Sequence, residues 1–124
     1  MAIQYLAPYI KPPSCTYQIL DERTVYFSWD MIPTQQVPGT LLGYKIKYKK
    51  YDEDIFNTAI ADSPMTQRTV STFKPFTWYW VEVAGFTKAG VGPHEVFVFK
   101  MPPGGTFYTF YFICFSNKIH KEVL

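Results

Sequence analysis

Two short runs in this chain repeat with a period of two residues. In "RTVYFSW" (Arg23 to Trp29), Val25, Phe27 and Trp29 share one face, and Thr24, Tyr26 and Ser28 share the other. In "YKIKYKKY" (Tyr44 to Tyr51), Tyr44, Ile46 and Tyr48 fall opposite Lys45, Lys47 and Lys49. Successive side chains of a strand point to opposite faces, so each run predicts a strand with one apolar and one polar face. The lysines predict that the second run turns its polar face to water.

Further runs of the same length follow between turn residues. Ala7 to Leu20 reads as an irregular first strand, because Pro8, Pro12 and Pro13 lack the N–H that a central ladder position needs. The stretch from Tyr51 to Ala61 predicts a short edge strand, "QRTVSTF" another, "TWYWVEVAGF" a long one and "HEVFVFK" the last. Ten prolines and seven glycines punctuate the chain, and aromatic residues make up 19% of it, a composition that favours strands. No segment sustains a period of 3.6, so almost no helix is expected. The sum is an all-β, seven-stranded sandwich, one domain over residues 8–102. Its predicted core is Val25, Phe27, Trp29, Tyr44, Ile46, Tyr48, Val70, Tyr79, Val81 and Val83. Residues 103–124 read as a linker followed by a short, aromatic-rich, non-domain tail.

Composition narrows the chemistry. A formal net charge of +2 over 124 residues points to no nucleic acid partner. Cys15 and Cys114 form no C-x-x-C motif, and they read as two independent thiols or, less simply, as one long-range disulfide. No catalytic constellation, cofactor-binding motif or metal-ligand spacing is found, so no enzyme activity, cofactor or metal is expected. His94, placed in a turn before the last strand, and His120, in the tail, read as solvated. Asp52, Glu53 and Asp54 read as a solvated turn that lacks the flanking ligands of a calcium loop. The start "MAIQYLAPYIKPP" has no basic n-region or apolar core of a signal peptide. "FYTFYFICF" (Phe107 to Phe115) is too short to span a bilayer.

Several residues form an ordered set. Trp29 closes its run, Gly43 and Tyr44 open another, and "FKPFTWYWVEV" carries Phe73, Pro75, Phe76, Thr77 and Tyr79 before "AGVGP" (Ala89 to Pro93). At these spacings the chain resembles the fibronectin type III domain, an immunoglobulin-like sandwich. The resemblance implies that Trp29 packs between the sheets and that Tyr44 starts the third strand. It also implies that Pro75 belongs to the corner into the sixth strand. Tyr79 is then a tyrosine corner, whose hydroxyl bonds backbone a few residues upstream. Two positions depart from the family pattern: Phe73 stands where leucine is usual, and Phe76 where glycine is common. Phe76 is therefore expected to strain its turn or to stand exposed.

The fold carries no chemistry of its own, so function is sought on the surface. Trp78, Trp80 and Glu82 alternate outward from Tyr79, Val81 and Val83. Pairing with the third strand sets the tryptophans over Lys45, Lys47 and Lys49, with cation–π contacts of about 0.5–1 kcal/mol each. This ladder either braces the sheet or docks a partner. The turn Thr87 to Pro93, with Lys88 and Val91, is a second candidate; it holds no Arg-Gly-Asp. The basic stripe of Lys45, Lys47, Lys49 and Lys50 is a third candidate, for heparin-like polyanions or an anionic membrane, although such stripes usually serve as solvated faces. The expected role is a non-catalytic protein–protein interaction or spacer module of a cell-surface adhesion or receptor protein, on the extracellular face of the plasma membrane. Any membrane association would come only through the parent protein. The alternatives are a cytoplasmic module of a filament-type protein and an accessory ectodomain of a receptor phosphatase.

Overall fold

The computed structural model describes residues 6–104. Among these residues seven strands follow one another: β1 (Thr16–Ile19), β2 (Val25–Ser28), β3 (Gly43–Lys50), β4 (Asn57–Asp62), β5 (Gln67–Val70), β6 (Trp78–Thr87) and β7 (Gly90–Lys100). They form two antiparallel sheets, one ordered β1-β2-β5 and the other β4-β3-β6-β7. The helical content of the described residues is a single 3-10 turn, Thr34–Gln36.

Alternation sorts the side chains as the period of two requires. Val25 and Phe27 of β2 face Tyr44, Ile46, Tyr48, Val81 and Val83 of the other sheet, and all are buried. Trp29, one residue past β2, lies in the same layer with its ring centroid 5.0 Å from that of Tyr44. All ten expected core residues are buried.

Phe73 fills the position where a smaller leucine was expected. It is 1% exposed and meets Phe27, Tyr48, Tyr79 and Phe99, with the Tyr79 ring edge-on at 4.7 Å. Burying one such ring contributes about 1.5–3 kcal/mol. The Tyr79 hydroxyl accepts a hydrogen bond from the Lys74 N–H at 2.8 Å, so the corner is closed as the family pattern implies. At the other end of the same layer, the Tyr44 hydroxyl accepts one from the Ile32 N–H at 3.0 Å.

Two segments differ from the sequence reading. The first strand is only four residues long, and the proline-bearing stretch before it runs beside β7 instead. Lys11 pairs with Glu95 at 2.9 Å, and the Thr87 hydroxyl donates to the Leu6 carbonyl at 2.7 Å. Gly92 lies so close to Pro8 that a Cβ there would come within 2.6 Å of the Pro8 carbonyl oxygen. The turn read as Thr87 to Pro93 is also shorter. Thr87 pairs with Gly90, so the tip of the hairpin is Lys88 and Ala89, while Gly92 and Pro93 lie within β7 at an irregularity of the ladder, and Gly90 takes φ +146°. His94 consequently sits within β7, opposite Ala84, rather than in a turn. The β6–β7 ladder accounts for this, because it offers backbone partners to almost every residue from Gly90 onward.

Cys15 is half-buried, and Cys114 lies outside the described residues, as do His120 and the aromatic tail. Burial, with a smaller contribution from the nearby Glu95 carboxylate, pushes the Cys15 thiol up to about 12. A thiol held protonated in this way is a poor nucleophile at neutral pH.

Candidate functional site

The outer face of the β4-β3-β6-β7 sheet carries the candidate residues. β6 directs Trp78, Trp80 and Glu82 away from the core, because Tyr79, Val81 and Val83 point inward. β3 pairs beside it in a register that sets Lys49 across from Trp80 and Lys47 across from Glu82. Trp80 is half-buried, and its indole N–H donates to Glu82 at 2.9 Å. The His94 imidazole lies 3.9 Å from the same carboxylate oxygen, an ion pair when protonated.

The lysines rest on aromatic rings, but mostly not on the rings expected. Lys49 alone lies over a tryptophan, 5.9 Å from Trp80, and it also reaches Tyr51 and Phe56. Lys47 sits 4.7 Å above Phe56, and Lys45 sits 4.8 Å above Phe86. Trp78 has no lysine across from it on β3. It lies past the end of that strand, where the Tyr51 N–H bonds its carbonyl. The lysine stems are therefore half-buried rather than free in water. Long cationic side chains cover apolar surface this way while the ammonium stays wet.

Beyond Lys49 the face changes character. Tyr51, Trp78 and Val98 are exposed and line one hollow, and Phe76, Thr77 and Asp52 continue it past the strand ends. Phe76 takes φ +56°, the left-handed region that favours glycine; the residue is 58% exposed, with the Lys100 ammonium over its ring. Both outcomes foreseen for it, strain and exposure, occur together. Backbone strain at a bulky exposed residue is an observation that points toward a role.

At the opposite end of the face, Lys45, Lys47, Glu82, Ala84 and the stretch from Val91 to His94 line a shallow groove. Val91 stands exposed on its rim, and Lys88 projects from the adjacent hairpin tip. The structure thus brings Trp80, Lys45, Lys47 and Val91 onto one continuous face. Trp78 is at its far end and Lys88 outside it. Tyr51, Val98 and Lys100 were not singled out from the sequence. The outward alternation of Val98 and Lys100 in "HEVFVFK" was the available signal.

The fibronectin type III domain family model matches residues 11–99. The chain belongs to the fibronectin type III domain family. Curated relatives place such domains in large proteins. A receptor-type tyrosine-protein phosphatase, mosPTP-1 of Aedes aegypti, is 30% identical over 91 residues, covering 70% of this chain and 7% of the relative. Neural cell adhesion molecule L1 of Mus musculus is 27% identical over 105 residues, covering 78% of this chain and 8% of the relative. The chain therefore spans less than a tenth of the length of these relatives. Among solved structures, the third fibronectin III domain of human KIAA0343 protein has a TM-score of 0.71 at 20% identity. That match covers 86% of this chain and 92% of the other. The fn3 domain of human contactin 1 has a TM-score of 0.72 at 18% identity, covering 85% and 87%. These structural matches concern the fold of the fibronectin type III domain. Adhesion and receptor proteins are the setting in which its sequence relatives occur.

Proposed function

We propose that this fibronectin type III domain is a non-catalytic recognition module of a cell-surface adhesion or receptor protein. It would bind a protein partner on the extracellular side through the outer face of its four-stranded sheet. The observation that carries this reading is the cluster at the end of that face. Trp78 stands half-exposed beside exposed Tyr51 and Phe76, and Phe76 is kept in a backbone conformation unfavourable to it. Tryptophan and tyrosine are the residues most enriched where interface energy concentrates. Apolar surface of this kind is otherwise a solubility liability. The adhesion and receptor relatives support the setting.

The roles proposed for the other face residues follow from where they sit. Trp80 flanks the aromatic cluster, and Lys45 and Lys47, farther along the face, carry the charge that orients a partner. Val91 and Lys88 border the groove at the far end. Trp29, Tyr44, Pro75 and Tyr79 hold the scaffold that positions the face.

The test uses beads coated with the full chain, exposed to intact cells. Retention of cells by the parent chain, lost in a Trp78→Ala, Trp80→Ala variant of unchanged melting temperature, supports the reading. Equal retention by both removes this face from consideration. The similarity to a receptor phosphatase favours a second reading, an accessory ectodomain module whose enzyme lies elsewhere in the parent protein.

A further inference from the structure

We propose that the partner docking at the Tyr51, Trp78 and Val98 end of this face is a second copy of the same chain, related by a two-fold axis. The inference rests on the reading of that face as a protein-docking surface and names its occupant. Tyr51, Phe76, Trp78 and Val98 are 54%, 58%, 50% and 43% exposed. They converge because the turn after β3, the start of β6 and the end of β7 meet at one pole of the sheet. Tyr51 lies on one side of Trp78, and Val98 on the other.

Charge is ordered along this strip. Asp52, Glu53 and Asp54 stand beyond Tyr51, and Lys100 stands at the β7 side, over Phe76. Glu53 faces Lys50 at 4.0 Å, whereas Asp52 has no ion-pair partner among the described residues. Level with Trp78, the strip therefore runs from Asp52 and Tyr51 on the β3 side, with Lys49 over the Tyr51 ring, through Trp78 to Lys100 directly across from it, and Val98 lies beside Lys100 on the same strand. A two-fold contact presents the same patch from both sides, so it requires self-complementarity. Rotating one copy by half a turn about an axis along the strands brings the β3 side of each copy over the β7 side of the other, so that Asp52 meets Lys100 at both ends with the apolar centres face to face. A partner of one charge sign would complement one end and oppose the other.

Pairing through the first half of the β7 edge is disfavoured, because the segment from Leu6 to Lys11 already lies alongside it at Gly92 and Glu95. Four exposed apolar residues per copy make a small contact, below the standard interface size. The dimer is expected to be weak, with a Kd on the order of micromolar or higher.

Sedimentation of the full chain over a range of concentrations tests this. The expected result is a reversible monomer–dimer equilibrium whose Kd rises at least tenfold in Trp78→Ala. Asp52→Lys and Lys100→Glu should each be monomeric alone, since like charges then meet at both contacts. An equimolar mixture of these two variants should dimerise, because both contacts become attractive again. Each variant's melting temperature is read alongside, so that loss of folding is not mistaken for loss of pairing. A parent chain that stays monomeric throughout overturns the proposal. So does association that Trp78→Ala leaves unchanged, which would point to residues 107–115 or another surface. A mixture that remains monomeric overturns it as well. Retention of cells by a monomeric chain would leave the broader docking reading standing, with a different protein as the occupant.

Discussion

The ammonium of Lys100 lies 3.5 Å from the centre of the Phe76 ring, and Phe76 itself has φ +56°. The last residue of β7 thus covers an aromatic side chain at the corner leading into β6. The left-handed backbone there is unfavourable to a side chain with a Cβ, and the cation above the ring offsets part of that cost.

Substitutions at residue 76 should separate the two effects. Phe76→Ala and Phe76→Gly both remove the ring, but only glycine also relieves the backbone. Phe76→Gly should be more stable than Phe76→Ala by about 1 kcal/mol in urea unfolding. Equal stabilities would mean that the turn adopts another conformation.

Tyr79→Phe deletes one oxygen and leaves the Lys74 N–H without its partner in a partly buried corner. The expected loss is about 1–2 kcal/mol, with little change in the denaturant slope. A loss no larger than that of a surface substitution would mean that water replaces the hydroxyl.

Trp29 is 4% exposed, and its indole N–H has no hydrogen-bond partner among the described residues. Its contribution is therefore volume rather than polarity. Trp29→Ala should cost about 3–5 kcal/mol, a large part of the stability of a domain this size. Trp29→Phe, which keeps a ring between the sheets, should cost clearly less. Equal costs would show that the indole nitrogen matters after all.

The Cys15 thiol should be inert in the folded chain. With its pKa pushed to about 12, alkylation by iodoacetamide at pH 8 in a Cys114→Ser background should be slow, and should accelerate in urea. The pH dependence follows from the same shift. Above about pH 9 the unfolded chain has released this proton and the folded chain keeps it. Stability attributable to the thiol is thus intact below pH 9 and falls as pH rises toward 12. Fast alkylation of the folded chain at pH 8 would contradict the burial.

Much of the fold was legible because alternation is a local property of the backbone. Val25, Phe27 and Trp29, or Tyr44, Ile46 and Tyr48, share a face whatever the rest of the chain does. Lys45, Lys47 and Lys49 must then share the opposite one. Gly43, Phe73 and Tyr79 announce a strand start and a corner through steric and hydrogen-bonding needs confined to a few residues. The length of the β6–β7 hairpin was less legible, because Gly90, Val91, Gly92 and Pro93 look like turn residues until Thr87 and Phe86 pair with Gly90 and Val91 and draw the whole stretch into the strand.

What covers what was decided only in three dimensions. Pairing register and loop path, rather than spacing, put Lys47 over Phe56, Lys45 over Phe86 and Lys100 over Phe76. Likewise Tyr51, Trp78 and Val98 become neighbours only when the end of β3, the start of β6 and the end of β7 reach the same pole. The sequence by itself determined which side of each strand faces the core, because that depends on covalent geometry and apolar periodicity alone. The composition of the exposed patch was left to the tertiary structure, because it depends on which distant strands pair and in what register.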